Sequence, residues 1–246
     1  MSSVNITREE AQQRSRVITA HSSKVLVDLS GRDPNGDPLG EPTETFVSSS
    51  TIQFSSTGGQ SHLDLIADGV YAADLDGAPL DPAAFSHNRF PFTTEPGTHE
   101  ITVTALCRYS HSGEGLHRFV DPADGKVYLY TQFEIADARR MYADFEQPDQ
   151  KMTFELQVIA PTGWTIVSNS PAPEPTEGPW EGMSRWSFEP TLPISTYLTA
   201  LVAGEYHVDH GTIHTASGEI DADILCRQSI TCLLYTSPSP RDKRQS

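Results

Sequence analysis

Apolar and polar residues alternate with a period of two through most of this chain, the spacing at which successive side chains fall on opposite faces of a strand. The segments KVLVDLS (24–30), TETFVSSSTIQFSS (43–56), SHLDLIADGVYAADLDG (61–77), GWTIVSNS (163–170), SRWSFEPT (184–191) and STYLTALVAGEYHVDH (195–210) all read as strands. In 98–110, Ile101, Val103 and Ala105 alternate with Glu100, Thr102 and Thr104. In 151–161, Met152, Phe154, Leu156 and Val158 alternate with Thr153, Glu155 and Gln157. An apolar face backed by a polar one predicts antiparallel sheet wetted on one side. Leu63, Leu65 and Val70 are inward candidates, and the serine-rich middle of 43–56 predicts a bulge. Turn-rich text separates these runs: GRDPNGDPLG at 31–40, GAPLDPAAF at 77–85, NRFPFTTEPG at 88–97 and PAPEPTEGPWEGM at 171–183. One helix breaks the rhythm, from Thr7 to about Ala20. Thr7 and Glu10 have capping-box spacing ahead of a mostly polar run, which predicts a surface helix. No internal repeat is found, and no helices alternate with the strands, so a parallel α/β fold is excluded.

The run KVYLYTQFEI (126–135) is the most informative strand. Alternation puts Tyr128, Tyr130, Gln132 and Glu134 on one face and Val127, Leu129, Thr131 and Phe133 on the other. The second face suits a core. The first ends in a carboxamide and a carboxylate about 7 Å apart, close enough to hold one small polar group together. By pattern alone, an ordinary solvent-facing strand edge is the commoner meaning of such a face.

Composition agrees with a mostly β protein. The 246 residues include 18 prolines and 17 glycines, with 37% hydrophobic residues to build a core. A formal charge of −16 argues against nucleic-acid binding, which needs a basic face, and serves solubility. The polar start MSSVNITREEAQQRS has no signal-peptide core, and no run is long enough to span a bilayer, so no membrane partner is expected. Three cysteines without CxxC spacing indicate neither a disulfide framework nor a cysteine zinc site, and a cytoplasmic location is expected.

Chemistry is sparse. There is no phosphate loop, dinucleotide fingerprint, nucleophile elbow or H-E-x-x-H. His207, His210 and His214 form a loose cluster, but His207 and His210 point opposite ways on a strand; surface histidines around a turn at Gly211 are the better reading, and no metal ligand is assigned. The charged run Asp137, Arg139, Arg140, Asp144, Glu146 and Asp149 is expected to form salt links that hold a turn.

The wording YLYTQFEIADARRMYADFEQPDQKMTFELQV, followed by VSNSP and PISTYLTALVAGEY, resembles the N-terminal domain of the aminopeptidase N family, the gluzincin zinc aminopeptidases. GEGLHRFVDPADG, TREEAQQRS and CRQS resemble its actinobacterial branch, and the resemblance spans residues 5–229. It implies a saddle-like, largely antiparallel β domain that lies over a zinc-bearing catalytic domain. It also implies release of single residues from peptide N-termini. Carried residue by residue, the TQFE motif falls on Gln132 and Glu134, with Glu134 binding the free α-ammonium and Gln132 lining the first side-chain pocket. The physics agrees: an exopeptidase must recognise a charged chain end, and a fixed carboxylate gives a charge-assisted bond.

The expected organisation is a helix and lead-in over 1–22, the β domain over 23–220, the start of a link to a catalytic domain over 221–230, and a non-native tail over 231–246. That tail resembles translated adapter sequence, CLLYTSPSPRD. The zinc motif and the G-A-M-E-N loop of the family are not in this sequence, so no catalytic residue is assigned. The chain alone is expected to be inactive, with peptide N-termini and its own catalytic domain as partners and zinc as the cofactor of the full-length enzyme. The alternative is a non-catalytic β-sheet interaction module.

Overall fold

In the computed structural model, which describes residues 5–216 and 218–233, the capping box forms. Glu10 N–H donates to Thr7 Oγ1 at 3.2 Å and Thr7 N–H donates to Glu10 Oε2 at 2.8 Å. Helix α1 (Arg8–Val17) stops short of Ala20 because Ile18 is already extended and opens the first strand. Its surface is polar as expected, except that Arg14 is buried.

The strands, in chain order, are β1 (Ile18–Asp28), β2 (Thr45–Asp64), β3 (Gly69–Leu75), β4 (Ala78–Leu80), β5 (Arg89–Arg108), β6 (Gly115–Val120) and β7 (Val127–Gln132). They continue as β8 (Thr153–Pro161), β9 (Thr165–Ser168), β10 (Thr176–Glu177), β11 (Met183–Ser187), β12 (Leu201–Gly204), β13 (His207–Thr215) and β14 (Gly218–Cys226). Eight of them form one sheet in the order β10-β11-β8-β1-β2-β5-β3-β4, four form a second in the order β6-β7-β12-β9, and β13 and β14 form a ribbon. Within the large sheet β1 and β8 run parallel; the other neighbours are antiparallel. This is the largely antiparallel β architecture that the alternation predicts.

Three local expectations are corrected. The first is the 88–97 loop, most of which is the first half of β5, paired with β2 from Asp64↔Arg89 onward. Pro91 and Pro96 are tolerated there because β3 covers β5 only from Ile101 to Leu106, leaving the earlier half an edge with no second ladder to break. The second is the bulge: register shifts fall between Ala20 and Ser22 of β1 and between Val70 and Ala72 of β3 rather than in the serine run. Ser48 and Ser50 are buried instead, and Ser50 donates to the Ala143 carbonyl at 2.8 Å. The third is the late turn. β13 runs straight through Gly211 and reverses only between Thr215 and Gly218.

One continuous core joins the two larger sheets. Ile52, Phe54, Ile101, Val103, Leu156 and Val158 of the large sheet are buried, as are Leu116, Leu129, Ile166 and Leu201 of the smaller. Residues from the segment after β7 belong to the same cluster. Phe145 meets Phe54 edge-on at 5.6 Å, and Tyr142 packs on Phe154 at 5.7 Å and on Phe133 at 6.4 Å. Each fully buried aromatic contributes about 1.5–3 kcal/mol from desolvation. The segment that leads away from Gln132 and Glu134 is therefore clamped in the core.

Candidate functional site

Strand β7 is held on both sides. β6 pairs with it from Gly115↔Gln132 to Val120↔Val127, and β12 pairs from Val202↔Tyr130 to Gly204↔Tyr128. Both ladders end near Gln132, because β6 begins at Gly115 and β12 at Leu201, whose N–H donates to the Thr131 hydroxyl at 2.9 Å. With no backbone partner to extend it, the strand stops. Glu134 therefore stands in the turn just beyond β7, not on the strand with Gln132 as the alternation predicts. The turn contains a cis peptide between Glu134 and Ile135 and closes with Asp137 N–H on the Phe133 carbonyl at 3.0 Å.

Alternation still holds around it. Phe133 is buried while Gln132 and Glu134 are exposed on the other side. Neither polar side chain has a hydrogen-bond partner among the described residues. The two nearest cations in sequence are both occupied: Arg139 is buried with Nη2 donating to Asn5 Oδ1 at 2.6 Å, and Arg140 Nε donates to Asp137 at 2.6 Å while its guanidinium lies 3.9 Å from Glu114. Glu134 thus presents an unneutralised carboxylate, which an ammonium ion would satisfy.

Tyr128, read as part of the same open face, is 1% exposed. Segments far along the chain cover it: Tyr206 packs edge-on at 5.0 Å, and Gln228 N–H donates to its hydroxyl at 3.0 Å. Its neighbour Tyr130 is 41% exposed and stacks on His117 at 4.8 Å. Together with Phe119 and Arg227 these rings line a cavity of about 470 Å³ on the face that continues toward Gln132.

Beneath the Glu134 turn, residues of the charged run are buried, which the sequence reading missed. Within the run, the Arg140–Asp137 pair is a partly exposed link of the expected kind. Arg139, Asp144 and Glu146 are 3%, 0% and 5% exposed. Glu146 Oε2 accepts from the Arg139 N–H at 2.8 Å, its Oε1 accepts from the Thr196 hydroxyl at 2.8 Å, and its N–H donates to Asp64 Oδ2 at 3.3 Å. Burial pushes the Glu146 carboxyl from 4.5 up to about 7, against the hydrogen bonds from Arg139 and Thr196. Burial, followed by the charges of Glu146 and Asp64, raises Asp144 well above the carboxylate range.

Between the unfolded and folded values the folded chain holds protons that the unfolded chain releases, so stability rises as pH falls through that window. His99, raised by its 2.7 Å bond to Asp76, acts in the same sense: its contribution is full below 6.5 and is lost as pH rises through the folded value. The melting temperature is expected to increase from about pH 8 to about pH 5.5, with a shallower slope in Glu146→Gln. Calorimetry across that range checks it; a melting temperature that falls steadily toward pH 5.5 contradicts it.

Of the three histidines of β13, His210 pairs across the ribbon with Asp223 at 2.7 Å and His214 with Glu219 at 3.0 Å, while His207 stands opposite Cys226. Among the described residues no three metal-ligating side chains come together, and no helix is long and apolar enough to cross a membrane. Residues 234–246 of the expected tail lie outside the described residues.

A carboxamide at the end of β7 and a carboxylate in the turn beyond it thus stand open on a largely antiparallel β domain. Residues 84–198 match the Peptidase M1 N-terminal domain. Over those residues the chain carries a Peptidase M1 N-terminal domain. It is 44% identical over 94% of its length to aminopeptidase N of Streptomyces lividans, 38% identical over 51% to aminopeptidase N of Acetobacter pasteurianus, and 34% identical over 44% to aminopeptidase N of Bos taurus. The matches span 26%, 36% and 12% of those proteins, so the chain corresponds to a minor part of each.

Proposed function

We propose that this chain is the substrate-amine-recognition domain of a zinc-dependent M1 aminopeptidase, with Glu134 as the acceptor for the peptide's α-ammonium and Gln132 beside it lining the first side-chain site. The observation that carries the reading is the exposed, unneutralised Glu134 carboxylate next to Gln132, at the end of a strand held on both sides. A rigid mount fixes where the amine sits, and a peptide without a free amine leaves the carboxylate unpaired, which penalises internal cleavage.

The described residues offer no three-ligand metal cluster, so the zinc implied by the family is assigned to no residue of this chain. When bound in such an enzyme, zinc supplies an activated water and polarises the scissile carbonyl. The residues here bind and orient the amine.

The test compares isoamylamine, an alkylammonium that stays charged at neutral pH, with isoamyl alcohol, its uncharged analogue, by NMR titration of the purified chain. The amine is expected to bind about ten- to a hundredfold more tightly, the range of a charge-assisted hydrogen bond, and Glu134→Gln should abolish that preference. Equal affinity of the two ligands for the native chain, or a preference that survives Glu134→Gln, overturns the assignment.

A further inference from the structure

The side chain that anchors the Glu134 turn lies twelve residues downstream of it. After Glu134 the chain enters a 3₁₀ turn at Ala138–Arg140 and dives into the core. Two backbone bonds fix Arg139: its N–H reaches Glu146 Oε2 at 2.8 Å, and its carbonyl accepts from Ile66 N–H at 2.7 Å. The other oxygen of Glu146 takes the hydroxyl of Thr196, which begins the 3₁₀ turn Thr196–Leu198 just ahead of β12, the strand that flanks β7. The backbone of Glu146 is tied to Asp64 at the end of β2. One carboxylate thus bonds the 3₁₀ turn that directly follows the Glu134 turn to the lead-in of the strand beside Gln132, and its own backbone ties both to the large sheet.

Two donors converge on two oxygens. A glutamine in this place has one acceptor oxygen, and its NH₂ group would face a donor. A buried carboxylate is also an expensive way to close a turn, since burial opposes its charge. What the charge adds is geometric: both acceptors are satisfied at once, and the turn and the strand lead-in keep a fixed separation.

We propose that Glu146 is a positioning residue for the amine site, setting through the Arg139 N–H and the Thr196 hydroxyl where the Glu134 carboxylate stands relative to Gln132. This inference rests on the amine-recognition reading of Glu134. The groups that act on Glu146 are Arg139 and Thr196, which bond it, Asp64 at the end of β2, and Asp144 and Tyr142 on its own segment. Asp64 is itself paired with Arg14 of α1 and His62. Glu146 is the member whose oxygens hold the turn.

The experiment reads two quantities on the purified chain from about pH 8 to about pH 6: hydrogen-exchange protection of the Arg139 amide, corrected for intrinsic rates, and isoamylamine affinity by NMR. In Glu146→Gln both are expected to fall roughly tenfold at the higher pH, the effect of one lost charge-assisted bond. Lowering the pH should weaken isoamylamine affinity in the native chain and leave that of the variant unchanged, a response that simple loss of packing does not give, while Arg139 protection in the native chain follows the rise in stability. Unchanged Arg139 protection and native affinity in Glu146→Gln overturn the proposal. If that variant does not fold, Thr196→Val removes one donor while keeping shape; a smaller loss in both readouts supports the proposal, and native affinity overturns it. If the native chain binds no isoamylamine, the amine reading fails. The Arg139 amide then decides separately whether Glu146 holds the turn: lost protection supports that link and unchanged protection overturns it.

Discussion

Asp64→Asn is expected to cost about 3–5 kcal/mol of folding stability, the usual penalty for stranding one member of a buried ion pair. Asp64 is 1% exposed and its Oδ2 lies 2.9 Å from Nη2 of Arg14, which is 4% exposed. His62 Nε2 stands 2.6 Å from the same guanidinium nitrogen, and the Phe145 ring lies 5.7 Å from the guanidinium carbon. Removing the carboxylate charge leaves a cation in the core with an aromatic face and an imidazole for company. Burial works to raise the Asp64 pKa, but the His62 hydrogen bond and the Arg14 charge together hold it below the usual 3.8. A lowered folded value means that this stabilisation is present above 3.8 and is lost as pH falls through the folded value. The double variant Arg14→Leu/Asp64→Leu should lose less than Asp64→Asn, because no charge is left unpaired. Urea titrations of both variants measure this, and a loss below about 1 kcal/mol for Asp64→Asn rules it out.

The same pair shows what the sequence could and could not carry. Strand periodicity is a local property, so Ile101, Val103, Phe154 and Leu156 were legible as core, as was the Thr7–Glu10 cap. The adjacency of Gln132 and Glu134 was legible too. What failed were features decided by distant partners. Glu134 left the strand because β6 and β12 run out beside Gln132, a fact written at 115 and 201. Tyr128 was buried by Tyr206 and Gln228, whose sequence distance gives no local signal. A charged run ordinarily means a solvated face. Here Asp144 and Glu146 are interleaved with Tyr142, Ala143 and Phe145, all buried, so the whole segment threads the core. That unbroken run of buried residues from 141 to 147 is the signal that charge alone obscured. Where the proposed amine site depends on the fold, it depends on these non-local contacts more than on the motif.

Gly204→Ala is expected to destabilise the chain by about 3 kcal/mol, combining strain at a positive φ with a clash that the sheet cannot relieve. Gly204 ends β12 with φ +147, opposite Tyr128 of β7 and Thr165 of β9. A Cβ there would stand 2.4 Å from the Val127 carbonyl oxygen and 3.1 Å from the Tyr128 Cα. Both atoms are backbone of the strand that leads to Gln132, so no rotamer change makes room. The cheapest escape is to separate β12 from β7 at that end. That would cost the Glu205 N–H bond to Val127 and disturb the packing of Tyr206 on Tyr128. The damage would then pass along β7 toward the proposed amine site, so isoamylamine affinity should fall together with stability. Gly40→Ala is the control: no atom lies within 4 Å of the added methyl and no positive φ opposes it, so it should stay within about 0.5 kcal/mol of the parent. Urea denaturation with near-ultraviolet circular dichroism of the tyrosines separates the two. If Gly204→Ala matches Gly40→Ala in midpoint and in tyrosine signal, the close approach of β12 to β7 is not what holds this strand in place.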